Sequence, residues 1–252
     1  VNDYMANNAL VFDVKRDIEI FISDNHELLF NERDFQMRLA LSLINSECYD
    51  DVDLEYHLPV GQKFRFDDDY KNWDTEKPSI DIVVRKGCEY VPIELKYKLQ
   101  AVSGNITRFG EEAEKKDISI ITNQAAQNLG RYAFWKDVKR LELVKKHYAA
   151  VNNGIVVFLT NDATYLKESE GADYSAFSMS ENRMVTGQLD WKQKKNKYQR
   201  LHNYQWLRYL DKEYSTWLIT NQLVICLNII LTLTNKLNNG FKHTLNHHNN
   251  HN

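Results

Sequence analysis

Proline, glycine and cysteine are all scarce in this chain. Only three prolines and nine glycines occur among its 252 residues. Long interdomain linkers are usually rich in such residues, so the composition indicates one large domain, with at most an appendage. The three cysteines, Cys48, Cys88 and Cys226, show no paired metal-binding spacing. Their odd number argues against a disulfide framework and favours a reducing compartment, so we expect a cytoplasmic protein.

A strong excess of one charge is also missing. The chain has 32 Lys and Arg residues against 35 Asp and Glu residues, a formal net charge of −3. This balance excludes a protein that coats nucleic acid with a uniformly basic surface, so any contact with nucleic acid must use a local patch. Residues 1–10 have no basic region followed by an apolar run, and we expect no signal peptide there.

The C-terminal part of the chain differs from the rest, because it carries no charge between Glu213 and Lys236. Residues 216–233 are nearly long enough to span a bilayer, but polar residues such as Asn221 and Asn228 interrupt them. We therefore favour a buried strand-helix element over a membrane anchor and expect no membrane partner. Residues 238–252 are rich in Asn and His and predict a low-complexity tail.

Three ionisable residues stand within two short apolar runs in the middle of the chain. Asp81 lies in the first run, residues 78–85, and Glu94 and Lys96 lie in the second, residues 89–97. A plain core would have Val, Ile or Leu at such positions. Their spacing therefore suggests a single site.

The two runs predict a β-hairpin. Gly87 and Cys88 between them suit a two-residue turn with a positive φ at its first position. Counting outward from this turn places Asp81 opposite Glu94, and cross-strand partners point to the same side of a sheet. Lys96 lies two residues beyond Glu94 and shares its face. Two carboxylates and one ammonium group are therefore expected to converge.

Two like charges facing each other destabilise a strand pair unless something offsets them. A divalent cation bound by the carboxylates of Asp81 and Glu94 is one solution. Mutual salt bridges with Lys96 or Arg85 are another. A solvated hairpin face would need neither, but the apolar neighbours of Asp81 indicate a largely buried strand.

The surrounding pattern predicts alternating helices and strands. Apolar spacing indicates a short helix after residue 12, a second helix over residues 33–44 capped by Asn31, and a strand over residues 52–58. Polar loops are expected at 61–77 and 100–117. A long helix from Asn123 to about residue 147, capped by Thr122 or Asn123, and a buried strand over 154–160 complete the pattern.

Asp81, a twelve-residue gap and then Glu94-Leu95-Lys96 resemble the signature of the PD-(D/E)xK, or restriction-endonuclease-like, nuclease superfamily. Ile80 stands where the signature has proline, although Pro78 is close by. The predicted order of helix, three strands, helix and strand is similar to the αβββαβ core of that family. The resemblance covers about residues 31–160 and implies an α/β fold with a mixed central sheet flanked by helices.

The resemblance divides the chain into three parts. Residues 1–30 are an N-terminal helical extension, residues 31–214 are the nuclease-like domain, and residues 215–252 are the uncharged apolar segment with its Asn/His-rich tail. It implies a metal-dependent DNA nuclease, with an endonuclease favoured, and DNA as the partner. A homodimer is one arrangement that would suit cleavage of both strands of a duplex. A non-catalytic nucleic-acid- or protein-binding module that retains the nuclease fold is the alternative.

The resemblance also implies a role for each residue of the motif. Asp81 and Glu94 would bind Mg²⁺, or Mn²⁺ as a substitute, with the Leu95 carbonyl as a third ligand. Lys96 would orient the attacking water or help to deprotonate it. Glu32, at the start of the second helix, would add a further catalytic carboxylate, although an acidic residue there also simply favours a helix N-terminus.

Candidate contacts to nucleic acid lie outside the motif. Gln127 and Arg131 share one face of the long helix and could touch phosphate, although a polar outer face would look the same. A basic cluster with interleaved aromatic residues lies further on, with Lys194, Lys195 and Lys197 as its cations. Lysines that protect the edge of a hairpin are the other interpretation of this cluster.

Overall fold

The structure is a computed structural model that describes most of the chain up to residue 166 and shorter segments beyond it. The described residues are 9–24, 29–58, 79–104, 107–112, 118–124, 126–166, 175–179, 184–189, 207–215 and 224–230. The expected loop at 61–77, the cations Lys194, Lys195 and Lys197, and the tail at 238–252 lie outside them.

Two helices open the described chain, α1 (Ala9–Asp24) and α2 (Glu32–Asn45). Asn31 is the N-cap of α2, as its sequence position predicts, because its side chain accepts a hydrogen bond from the Asp34 amide at 2.9 Å. This bond satisfies one of the amides that a helix N-terminus leaves without a partner. Glu32 is consequently fixed as the first residue of α2.

Three antiparallel strands follow, β1 (Asp51–His57), β2 (Ser79–Lys86) and β3 (Glu89–Lys98). The predicted hairpin is confirmed, since Gly87 has a φ of 60° and Lys86 pairs with Glu89 across the turn. Glycine adopts a positive φ without the steric cost that other residues incur. The turn therefore fixes the register of β2 against β3.

The region after β3 differs from the plain polar loop expected at 100–117. It contains four short strands, β4 (Val102–Gly104), β5 (Thr107–Arg108), β6 (Glu111–Glu112) and β7 (Ile118–Ile121). β4 pairs with β7 and β5 pairs with β6, both antiparallel. Val102 and Ile121 are buried, which anchors the outer pair to the core.

The long helix α3 (Gln127–His147) precedes the fully buried strand β8 (Gly154–Thr160). The helix begins later than Thr122 or Asn123 would predict. Ala126 precedes it with a φ of 73° and makes no side-chain cap. β8 runs parallel to β3, so the helix crosses the sheet between them. The result is a mixed α/β fold with a mixed sheet.

Three further strands are described near the C-terminus, β9 (Met184–Leu189), β10 (Leu207–Ser215) and β11 (Val224–Ile230). β9 and β10 form an antiparallel pair, and β11 pairs parallel with β8. The central sheet therefore has the order β1-β2-β3-β8-β11. Within the uncharged segment at 216–233, the described part is this strand. Across the described residues, no helix is long and apolar enough to cross a membrane.

Helices cover both faces of the sheet. α1 and α2 pack on one face against Ile82, Ile93 and Leu95, and α3 packs on the other against Val83 and Val156. Residues alternate between the two faces along each strand. Glu94 and Lys96 alternate with Ile93 and Leu95, so they point towards α3.

Candidate active site

The register of β2 against β3 brings Asp81 close to Glu94. The paired residues run from Lys86 and Glu89 at the turn to Ile82 and Ile93, and the ladder stops one residue short of Asp81 and Glu94. Burial raises the pKa of Glu94 most, and the nearby Asp81 charge raises it further, so the two carboxyl groups lie near each other.

Strand β2 is distorted at Asp81. Ile82 packs in the core on the α2 side, whereas both Ile80 and Val83 pack on the α3 side. Strict alternation would place Ile80 and Ile82 on the same face, so the strand changes phase at Asp81.

The contacts of Asp81 reflect this change. Its Oδ2 accepts the Leu95 amide at 2.7 Å, and its carbonyl accepts Nε2 of Gln36 at 2.7 Å. Gln36 also donates to Glu55 at 3.2 Å. Glu55 has a φ of 50°, unusual for a residue other than glycine, and lies where β1 passes Asp81. Helix α2 and strand β1 thus hold the Asp81 backbone in place.

Glu94 forms a buried ion pair with helix α3. Nη1 of Arg140 lies 2.7 Å from Oε1 of Glu94. The Glu94 side chain is 1% exposed and the Arg140 side chain is 19% exposed. The pair therefore has little access to screening water, and each charge depends strongly on the other.

Lys96 is held between β3 and α3. Its Nζ donates to the Leu95 carbonyl at 2.8 Å and lies 2.8 Å from Oδ2 of Asp137. The contact with Asp137 is an ion pair whose angles fall outside hydrogen-bond geometry. Oδ1 of Asp137 lies 3.6 Å from Arg140, so this carboxylate bridges the two cations.

Six ionisable residues form what we call the acidic centre: Glu32, Asp81, Glu94, Lys96, Asp137 and Arg140. Its two α3 members, Asp137 and Arg140, are not among the site residues that the sequence predicts. The sequence does contain a signal for Asp137, because this residue lies three positions after Phe134 and four before Leu141, both on the apolar stripe of the helix. A charged residue on such a stripe is usually paired. The partner, however, depends on the packing of α3 against β3.

Glu32 lies at the edge of the acidic centre. Its Oε2 accepts the Tyr97 amide at 2.9 Å, which joins the first turn of α2 to β3. Its charge raises the pKa values of both Asp81 and Lys96. The structure therefore brings Glu32 near the motif residues, while its observed contact is with the backbone.

Burial controls the protonation of the two motif carboxylates. It raises the pKa of Asp81, more than Lys96 and the Leu95 amide lower it. Burial likewise raises the pKa of Glu94 to about 8, against the opposing effect of Arg140. Burial lowers the pKa of Lys96, but Asp137 and the other carboxylates raise it more, so the ammonium stays charged.

The charge balance of the acidic centre suits a divalent cation. When all of its carboxyl groups are ionised, as above the raised pKa of Glu94, four carboxylates (Glu32, Asp81, Glu94 and Asp137) face two cations (Lys96 and Arg140), a formal excess of two negative charges. Within the described part of the chain, neither Oδ1 of Asp81 nor Oε2 of Glu94 receives a hydrogen bond. Carboxylate oxygens are the ligands that Mg²⁺ prefers.

The protein ligands for such a cation are limited to these two carboxylate oxygens and the backbone. Among the described residues, no group of three or more His, Cys, Asp or Glu side chains is placed to hold a metal ion. The Leu95 carbonyl, the third expected ligand, accepts the Lys96 ammonium and keeps a second lone pair. Mg²⁺ usually retains several waters and needs only one or two carboxylates from the protein.

A cavity of about 310 Å³ lies on the α3 side of the sheet, and no residue of the acidic centre lines it. Val144, one helical turn beyond Arg140, lines it together with Ile80 and Pro92. The remaining lining is also mostly apolar, with Tyr56, Leu58, Val83, Tyr90, Tyr148, Ala150 and Val151. Such a lining offers no charged group for a phosphate, so we take the acidic centre as the candidate active site.

The predicted contacts to nucleic acid lie apart from the motif. Nε2 of Gln127 donates to Asp162 at 3.1 Å. Arg131 is 3% exposed, and its guanidinium donates to the carbonyls of Thr164 and Tyr165 at 2.6 and 3.1 Å. Both side chains therefore tie α3 to the segment after β8, and Arg131 presents little surface to a phosphate.

Comparison with known proteins supplies no family, because no protein-family model, no curated protein and no solved structure matches the chain. The acidic centre combines a half-buried carboxylate, Asp81, with a buried one, Glu94, on neighbouring strands, and a lysine is held beside them.

Proposed function

We propose that the protein is a metal-dependent DNA nuclease, with endonuclease activity favoured, that hydrolyses phosphodiester bonds at the acidic centre. One observation carries the proposal. Asp81 and Glu94 lie near each other on neighbouring strands, each with a carboxylate oxygen free of hydrogen bonds from the described residues, and Lys96 lies beside them.

Asp81, Glu94 and the Leu95 carbonyl would hold Mg²⁺, or Mn²⁺ in its place. When bound, such an ion lowers the pKa of a coordinated water and stabilises the charge that develops on the phosphate. Asp81 is well suited to this role because the Leu95 amide fixes its Oδ2 and Gln36 fixes its backbone. A ligand that is already oriented needs little rearrangement on binding.

The role of Lys96 follows from its surroundings. The carboxylates around it raise its pKa, so it remains an ammonium at neutral pH. A group in this state is a donor and a positive charge rather than a base. We therefore assign Lys96 to orienting the attacking water and neutralising the phosphate, with Asp137 as the residue that positions it.

We further propose a restriction-endonuclease-like core of the PD-(D/E)xK type. The order α2-β1-β2-β3-α3-β8 supports it, with Asp81 on the second strand and Glu94 and Lys96 on the third. DNA is the expected substrate, and a homodimer would suit cleavage of both strands of a duplex.

A non-catalytic binding module that retains this fold is the second candidate. The ion pair between Glu94 and Arg140 favours it, because the guanidinium neutralises one of the two proposed metal ligands. Retention of Asp81, Glu94 and Lys96 together favours the nuclease, since a binding module has no need of all three. The two candidates differ in whether the bound nucleic acid is cut.

The test is incubation of the protein with supercoiled plasmid and with linear DNA, in Mg²⁺ or in EDTA. Wild-type protein is expected to nick the plasmid in Mg²⁺ only, and Asp81→Ala, Glu94→Ala and Lys96→Ala are expected to abolish nicking. Lys86→Ala is the control, since Lys86 is exposed beside the hairpin turn. Absence of cleavage by the wild type, or equal cleavage by the variants, would refute the nuclease proposal.

A further inference from the structure

Arg140 holds the one motif carboxylate that is almost fully buried. Its Nη1 lies 2.7 Å from Oε1 of Glu94, and the Glu94 side chain is 1% exposed. Nothing in the PD-(D/E)xK signature assigns a role to this arginine. The contact matters for function because Glu94 is also a proposed metal ligand.

We propose that Arg140 and a divalent cation compete for Glu94, so that the guanidinium acts as an internal counter-ion that limits cation binding until a phosphate of the nucleic acid draws it away. This inference rests on the proposed function. It assigns Arg140 as a positioning residue that couples cation binding to substrate binding at the same centre.

The competition follows from charge and space. A cation bound by Glu94 and Asp81 would lie within a few ångströms of the guanidinium, and two positive groups at that distance repel each other. Glu94 is enclosed by the sheet and α3, so solvent screens this repulsion poorly. The carboxylate therefore favours one cationic partner over two.

Arg140 has an alternative position close at hand. Oδ1 of Asp137, one turn earlier on α3, already lies 3.6 Å from its Nη1. The Arg140 side chain is 19% exposed, so part of it reaches solvent. Guanidinium groups bind phosphate oxygens in a bidentate manner. A phosphate approaching the centre can consequently take over the guanidinium while Asp137 keeps it nearby.

The proposal predicts coupling in both directions. If phosphate binding releases Glu94 for the cation, cation binding must favour phosphate binding by the same factor. Wild-type protein without nucleic acid is then a poor cation binder. Removal of the guanidinium is expected to strengthen cation binding by the free protein and to weaken its dependence on nucleic acid.

The experiment is a calorimetric titration of Mn²⁺ into the full-length, EDTA-treated protein without nucleic acid. Arg140→Met is expected to bind Mn²⁺ about tenfold more tightly than the wild type, within the usual range of coupling between sites. Arg85→Met is the matched control, because Arg85 pairs with the exposed Asp50 at the other end of β2. This control is expected to bind Mn²⁺ like the wild type.

A second titration includes a phosphorothioate duplex that resists cleavage. The duplex is expected to raise the Mn²⁺ affinity of the wild type and to change that of Arg140→Met much less. Thermal unfolding gives an independent readout, since Mn²⁺ should raise the Tm of Arg140→Met more than that of the wild type. Should Arg140→Met fail to fold, Arg140→Lys replaces it, with a smaller gain in affinity expected.

The outcomes separate this inference from the proposed function. Equal Mn²⁺ affinity in the wild type and the Arg140 variant, in a wild type that cleaves DNA, would overturn the inference alone. A wild type and a variant that both fail to bind Mn²⁺, together with a wild type that cleaves nothing, would overturn both.

Discussion

The ion pair between Glu94 and Arg140 can be tested by a double-mutant cycle in the absence of metal. Glu94→Gln and Arg140→Met remove the two charges singly and together. At 2.7 Å, with an effective dielectric constant of about 20, the attraction is about 6 kcal/mol. Lys96 and Asp137 partly replace the lost partner in each single variant. We therefore expect a coupling free energy of about 2–4 kcal/mol.

The assay is urea unfolding in EDTA at about pH 9, where Glu94 is ionised because this lies above its raised pKa. Each single variant is expected to lower the free energy of unfolding by about 3–5 kcal/mol, since it leaves a buried charge without its partner. The double variant should lose much less than the sum. At about pH 6 the coupling should shrink, because the carboxyl group is then protonated.

A control cycle uses the pair of Arg85 and Asp50, which lie 3.3 Å apart with side chains 33% and 50% exposed. Solvent screens such a pair, and its coupling should stay below about 1 kcal/mol. Additive effects of Glu94→Gln and Arg140→Met at the higher pH would refute the view that α3 neutralises the motif carboxylate.

Three further predictions concern pH, packing and positioning. In EDTA, the free energy of unfolding should fall as the pH rises from the ordinary glutamate pKa of 4.5 towards about 8, because the folded state binds the Glu94 proton more tightly than the unfolded state does. Urea melts that show the free energy of unfolding rising over this pH range would contradict this prediction. Gly130→Ala should lower the free energy of unfolding by about 1–3 kcal/mol, since a Cβ there would clash with the hydroxyl of the buried Tyr165; an unchanged Tm would show that the ring can move. Asp137→Asn should slow DNA cleavage about 10–100-fold with little change in DNA affinity, because Lys96 loses the carboxylate that positions it; equal loss of binding and cleavage would argue against that role.

The local features of the site could be predicted from sequence because short-range geometry determines them. Gly87 sets the turn, and the turn sets the register of β2 against β3 as far as Ile82 and Ile93, next to Asp81 and Glu94. The cap formed by Asn31 is equally local, since it joins residues three apart. These features depend on neighbours along the chain and need no knowledge of tertiary packing.

The partners of the motif could not be predicted in the same way. Arg140 follows Glu94 by 46 residues, and their contact depends on how α3 lies across the sheet. The start of α3 is also not predicted, because Ala126 adopts a left-handed conformation that no capping residue signals. The phase change at Asp81 occurs where Gln36 reaches its carbonyl from α2. The contacts of Arg140 and Gln36 both depend on tertiary packing.

The central claim is that Asp81 belongs to a metal-dependent centre that cleaves DNA. The most direct measurement compares the rate of supercoiled plasmid nicking in Mg²⁺ by the wild type, by Asp81→Asn and by Asp53→Asn, a control on the neighbouring strand β1. The account predicts that Asp81→Asn lowers the nicking rate at least about 100-fold and that Asp53→Asn leaves it unchanged. Equal rates for all three proteins, or no nicking by the wild type, would contradict it.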